Sequence, residues 1–219
     1  MAFLMNIRLK PRVEQLIKPV IADGITDEDL WRAFQNNEDA AFTMIYSRYA
    51  DRVYSYLKLL MVGTPRHIDD LFQDAWLQFF RSRNTFQASA PGAVAAWLFR
   101  LAHNMAVSQL RKKPAISIED LHVDTDLIEG FTTPASQEQF DQPNSEAIMA
   151  QVMKSVEHLP ILLREVFILS EFNHLGLDQI AETLGVSKQN VKVRLFRARR
   201  VIREDLARDL DVSGIADAA

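Results

Sequence analysis

The stretch that most constrains this chain is Leu177 to Arg203, LDQIAETLGVSKQNVKVRLFRARRVIR. Ile180, Ala181 and Leu184 recur at helical spacing, Gly185 interrupts, and Ser187 opens a second periodic run through Val191, Leu195, Ala198 and Ile202. Two short helices joined at a glycine describe a helix-turn-helix. Small Ala181 lets the helices approach, Gly185 takes the left-handed turn that side chains resist, and β-branched Val191 wedges between them. The remaining face of the second helix is crowded by Lys188, Lys192, Arg194, Arg197, Arg199, Arg200 and Arg203. No acidic residue occurs from Val186 to Arg203, so the helix gains nothing from internal ion pairs. In a chain of formal charge −4 this is a local positive field, and the pattern predicts a helix that reads nucleic acid.

The rest of the composition excludes more than it suggests. With 219 residues the chain can hold one large domain or two small ones. Seven glycines argue against a loop-rich β fold, and no phosphate-cradling glycine loop is present. Without cysteine there is no disulfide framework and no thiolate zinc site, and the five histidines show no metal-ligand spacing. No Ser/His/Asp arrangement is visible. The expectation is therefore a non-enzyme without metal, cofactor or small-molecule substrate. The N-terminus lacks a secretory apolar core and no apolar run approaches a membrane span, so a cytoplasmic setting without membrane insertion is expected.

Along the chain the pattern is helical in two blocks. Residues 1–25 are ambiguous, broken by Pro11 and Pro19. Thr26 or Asp27 can cap a short helix carrying Leu30, Trp31 and Phe34. Asn37 is expected to cap the next, in which Phe42, Ile45, Tyr46, Tyr49, Val53, Tyr56, Leu57 and Leu60 form an apolar stripe. Thr64-Pro65 then starts a helix over about 66–82, with Ile68, Leu71, Phe72, Ala75 and Phe79 inward. Asp70, Gln73, Asp74 and Leu77 fall opposite. Carboxylates on one face near a helix start lack the converging partners that catalysis needs; they form a solvated or a protein-contact face.

A loop over 83–92 carries Phe86, an anchor into its own core or a stacking platform. The following helix places Leu98, Leu101, Ala102 and Met105 inward, with Trp97, Arg100, Asn104 and Arg111 on another stripe. That stripe ends in Arg111, Lys112 and Lys113 and offers stacking, hydrogen bonding and phosphate neutralisation together. The alternative is that Trp97 is core and the basic triplet complements the helix C-terminus. From Pro114 to Met153 there are eight Asp and Glu and no Lys or Arg, which reads as a flexible acidic linker. Such a tether repels DNA and can cover basic helices. Helical periodicity returns from about Asn144, through Ile148, Val152 and Val156, and after Leu159-Pro160 through Leu163, Val166, Phe167 and Leu169.

Three of these stretches together resemble the extracytoplasmic-function (ECF) sigma factors, small sigma subunits of bacterial RNA polymerase. Asp70-Leu71-Phe72-Gln73-Asp74 is similar to the family's acidic D-L-x-Q-[ED] signature. Trp97-Leu98-Phe99-Arg100-Leu101-Ala102-His103-Asn104 is similar to its W-L-x-x-I-A-x-N segment, and Asn190 to Arg199 to its T-V-K-x-R-L-x-R-A-R segment. The resemblance covers roughly 38–113 and 155–206. It implies an all-α chain of two small helical domains: 26–113 (region 2-like) and 144–210 (region 4-like helix-turn-helix), joined by a linker over 114–143. An extension over 1–25 and a flexible tail over 211–219 flank them.

It also implies roles. Asp70, Gln73 and Asp74 would dock on core RNA polymerase. Asn84, Phe86, Trp97, Arg100, Asn104, Arg111, Lys112 and Lys113 would lie near the melted −10 strand, where aromatic and polar groups replace lost stacking. Lys188, Gln189, Asn190, Lys192, Val193, Arg194, Phe196, Arg197 and Arg200 would meet the −35 duplex in its major groove. The implied partners are core polymerase, promoter DNA and an anti-sigma factor. Gly176 stands where the family often caps with serine, and Asn190 and Val193 depart from its usual residues, which bears on promoter sequence rather than activity. Two other classes remain open: a decoy that sequesters an anti-sigma factor without touching DNA, and a plain helix-turn-helix regulator. The latter leaves Asp70 to Asp74 and the Trp97 helix without purpose.

Overall fold

The structure, a computed structural model, describes residues 24–62, 67–111 and 145–216, with side chains of the last stretch described over 149–208. The regular structure of these residues is helical throughout. The ambiguous N-terminal segment before Gly24, the Thr64-Pro65 start, Lys112, Lys113, the acidic linker over 114–143 and the last three residues lie outside the described residues. Contacts divide the chain into two compact units, one of the helices up to Gln109 together with Glu182–Leu184, the other of the remaining described residues from Leu110 onward.

The first unit contains α1 (Asp27–Gln35), α2 (Asp39–Leu60), α3 (Ile68–Arg81), a 3-10 turn (Ser82–Asn84) and α4 (Ala93–Arg111). Thr26 is the α1 cap: its hydroxyl accepts from Asp29 N–H at 3.1 Å while Asp29 accepts from Thr26 N–H at 3.2 Å. Leu30, Trp31 and Phe34 are buried as their spacing predicts. Asn37 is not the cap of α2, a place taken by Glu38; it adopts a left-handed φ of 72° and accepts from Arg83 at 2.7 Å. Asparagine tolerates that conformation better than most residues, so it makes the turn between α1 and α2 instead.

Rings fill the middle of this unit. Trp31 lies 4.9 Å from Phe79 and 5.5 Å from Phe34, and Trp76 lies 5.6 Å from Phe79 in an edge-on arrangement. Such pairs add roughly 0.5–1.5 kcal/mol each beyond their buried area. Trp76 is fully buried although the sequence stripe leaves it out, while Phe72 and Met105, read as inward, are half-buried. Polar contacts then set the α3–α4 loop on α1, among them Gln35 Nε2 donating to the Arg83 carbonyl at 2.9 Å and to the Phe86 carbonyl at 3.1 Å. Trp31 Nε1 donates to the Phe86 carbonyl at 3.2 Å, and Glu28 accepts from Gly92 N–H at 2.9 Å, just ahead of α4.

The second unit contains α5 (Ser145–His158), α6 (Ile161–Phe167), most of α7 (Leu177–Leu184) and α8 (Lys188–Ala216). The chain leaves α6 through a π-helical turn, Ile168–Phe172, whose end Asn173 ties by donating to the Ile168 carbonyl at 3.1 Å. Both α5 and α6 pack on α8. The backbone of α8 continues past residue 210 to Ala216, where the sequence reading places a flexible tail.

Candidate nucleic-acid interface

The glycine turn is built as its sequence requires. Gly185 ends α7 at φ 67° with its N–H on the Ala181 carbonyl, and Val186 N–H reaches the same oxygen at 3.1 Å. Ser187 then caps α8, accepting from Asn190 N–H at 3.2 Å. At the other end of α7, Gly176 has no side chain to cap with, and Gln179 compensates by accepting the Gly176 N–H at 2.7 Å.

Helix α8 rests on Val191, Leu195, Ala198 and Ile202, all buried. One cation is buried with them. Arg194 and Glu165 of α6 keep only 8% and 5% of their side chains exposed and form an ion pair at 2.9 Å. Arg194, expected on the DNA face, is therefore held inside the protein. At 100° per residue, position 194 lies three residues after Val191 and four before Ala198, on the edge of the buried stripe. Burial pushes the Glu165 carboxyl up to about 7 against the pull of Arg194, and burial likewise lowers Arg194 against the pull of Glu165.

The opposite arc of α8 carries the other expected residues. Lys188, Gln189, Lys192, Phe196 and Arg200 are exposed, and Asn190, Val193 and Arg197 are half-buried. Phe196 is 45% exposed, unusual for a ring of that size on a folded surface. Besides Arg194, four cations of this helix are held by carboxylates: Lys188 by Asp178 at 2.8 Å, Arg199 by Glu171 at 2.6 Å, Arg200 by Glu204 at 2.8 Å and Arg208 by Asp205 at 2.6 Å. Lys192, Arg197 and Arg203 have no ion pair among the described residues.

In the first unit Asp70, Gln73 and Asp74 are all exposed on α3. No group of three or more potential ligands able to hold a metal ion occurs among the described residues, and no helix there is long and apolar enough to cross a membrane. The structure brings Phe86 and Trp97 together as a parallel stack, 4.9 Å between centroids and 5° between planes. Trp97 donates from Nε1 to Ser82 Oγ at 3.0 Å, and the Arg100 guanidinium sits 5.9 Å from the Trp97 ring. Both rings are half-buried, so each is at once an anchor and a partly open aromatic face. Asn84, Asn104 and Arg111 are exposed. Beside Trp97 runs a groove of about 520 Å³ lined by Asp74, Leu77, Arg81, Ser82, Thr85 and Met105, among others. The sequence reading passes over Arg81 and places Met105 in the core, although Asp74, Leu77 and Arg81 share one side of α3 at i, i+3 and i+7.

Known proteins match both units. The profile for Sigma-70 region 2 matches residues 45–115, and that for Sigma-70, region 4 matches residues 149–202. The chain is 30% identical over 167 residues to the ECF RNA polymerase sigma factor SigE of Mycolicibacterium smegmatis, covering 74% of this chain but only 60% of that relative. It is 26% identical over 190 residues to the ECF RNA polymerase sigma-E factor of Escherichia coli strain K12, covering 83% of this chain and 95% of that one. Among solved structures, CnrH in complex with the cytosolic domain of CnrY shares the fold at a TM-score of 0.58 and 21% identity, covering 84% of this chain and 98% of that one. The sigma factor RpoE of Bartonella quintana, in complex with the anti-sigma factor NepR, does so at 0.54 and 23%, covering 76% and 96%. The all-α reading, with a region 2 and a region 4 in that order, stands on both the profiles and the helices. This chain belongs to the ECF sigma factors of RNA polymerase.

Proposed function

We propose that this chain binds core RNA polymerase in the cytoplasm and directs promoter recognition and melting, with no catalytic chemistry of its own. The observation that carries the reading is the exposed cationic arc of α8 behind its glycine turn, concentrated in a chain of net charge −4. In this proposal Lys188, Gln189, Asn190, Lys192, Val193, Phe196, Arg197 and Arg200 face the −35 duplex, and Arg194 does not. Asn84, Phe86, Trp97, Arg100, Asn104 and Arg111, followed by Lys112 and Lys113, face the opened −10 strand, with the Phe86–Trp97 stack as its aromatic platform. Asp70, Gln73 and Asp74 dock on the polymerase. The domain limits follow the expected ones, 26–113 and 144–210, with the acidic segment 114–143 between them. An anti-sigma factor is the expected regulator, the CnrH and RpoE complexes being the supporting likeness.

Run-off transcription by purified core polymerase on a genomic library, with and without this chain, tests the whole reading. New transcripts starting downstream of one shared sequence pattern are expected. Capture of the polymerase without such transcripts points to the decoy, and duplex binding without polymerase capture points to a plain regulator; either result overturns the proposal.

A further inference from the structure

We infer that the Glu165–Arg194 pair is a register pin: it fixes the rotation of α8 on α6 and so governs base-sequence discrimination without contacting DNA. This rests on the proposed duplex reading by α8. The apolar seat of the helix, Val191, Leu195, Ala198 and Ile202, is buried, and the attraction that buries it has no direction of its own. A roll of about 20° on such a seat displaces the tips of the reading side chains by on the order of 2 Å, given the 5–6 Å radius of a helix with its side chains. That is enough to take a hydrogen bond out of range.

An ion pair does have direction, and this one joins α8 to the neighbouring helix at 2.9 Å in a setting almost closed to solvent. Burial of such a pair is poor evidence of a contribution to stability, because apolar residues of similar volume often do as well or better; fixing one arrangement among several is the better attested use. Its neighbours on that edge fit the role. Asn190, four residues before Arg194, and Arg197, three after it, are half-buried, so a small roll would cover one edge of the reading arc and uncover the other. Arg194 itself has no route to a phosphate short of abandoning Glu165 in the interior.

The test compares three full-length proteins: wild type, the volume-conserving E165M/R194M, and R194K, which keeps a donor for Glu165. Each is bound to a pool of randomised duplexes, the bound fraction is sequenced, and affinity for a fixed random-sequence duplex is followed against salt. E165M/R194M is expected to keep its thermal midpoint, its affinity for the fixed duplex and its salt slope, while enrichment of the preferred sequence falls about tenfold, the equivalent of losing one base pair's reading. R194K is expected to retain most of the enrichment, and it decides the question if the double variant does not fold. Unchanged enrichment in E165M/R194M, or loss in R194K equal to that of a DNA-contact variant, overturns the pin. A salt slope reduced by about one unit in the double variant shows Arg194 on a phosphate, which also overturns it. If the wild type enriches no sequence at all, the duplex reading itself has failed and the pin falls with it; enrichment by wild type with an unaffected double variant sinks the pin alone.

Discussion

Replacing Lys192 and Arg197 together with alanine removes two of the three cations of α8 that have no ion pair among the described residues. Both lie on the reading side of α8, and neither has an ion pair among the described residues. Lys188, Arg199 and Arg200 are already partly neutralised by Asp178, Glu171 and Glu204. If each free cation releases one counterion equivalent, the double variant K192A/R197A loses about 1.8 from the slope of log affinity against log salt. Between about 50 and 200 mM salt, a change of roughly 0.6 decade, wild-type affinity should then fall about twelvefold further than that of the variant. Fluorescence anisotropy with a labelled duplex and the full chain measures both slopes. The opposite perturbation sharpens the test: E171Q releases Arg199 from a 2.6 Å pair and should steepen the slope by up to about 0.9. An unaltered slope in K192A/R197A, with folding intact, would falsify the assignment of the arc to DNA. A slope in E171Q that becomes shallower would show instead that Glu171 positions Arg199 for contact.

Three further expectations follow from the same geometry. Glu165, pushed up to about 7 from an ordinary 4.5, holds its proton in the folded state after the unfolded chain has lost it. Stability therefore falls as pH rises from about 4.5 to about 7, and E165Q should flatten that step in hydrogen exchange of the α6 and α8 amides; an identical slope in E165Q refutes the assignment. Gly185→Ala places a side chain at φ 67° with no heavy atom within 4 Å of its Cβ, so its penalty is backbone strain alone, roughly 1–2 kcal/mol by denaturant unfolding. D70K/D74K should abolish capture of core polymerase in a pull-down while leaving the helical circular dichroism unchanged, and retained capture removes the docking role from this face.

How far the sequence goes depends on whether the deciding interaction is local. Thr26 with Asp29, Gly185 after α7, and Ser187 before α8 are legible because cap and turn chemistry acts within three or four residues. Asn37 misleads for the same reason in reverse: a good capping residue is also a good left-handed turn residue, and the contact that chooses between them comes from Arg83, 46 residues away. The Trp97 face stays open in the sequence because its outcome depends on Phe86 lying flat against it, which only the α3–α4 loop, tied to Trp31 and Glu28, decides.

Arg194 shows where the type of a residue and its position disagree. Its guanidinium reads as surface, yet its spacing from Val191 and Ala198 puts it at the edge of the buried stripe. Glu165 sits between Leu162 and Val166 on the buried face of α6 in the same incongruous way. A carboxylate on one apolar face and a guanidinium on another are each implausible alone, and together they predict each other. The same reasoning extends to the arc itself. Seven cations from Lys188 to Arg203 suggest a uniform field, but Asp178 and Glu171, ten and 28 residues from the cations they hold, together with Glu204 one turn further along α8, divide it. The cations left without an ion pair among the described residues are a short set, Lys192, Arg197 and Arg203, and in the proposed contact with a duplex it is their spacing along α8, rather than the count of basic residues, that would set where phosphates are met.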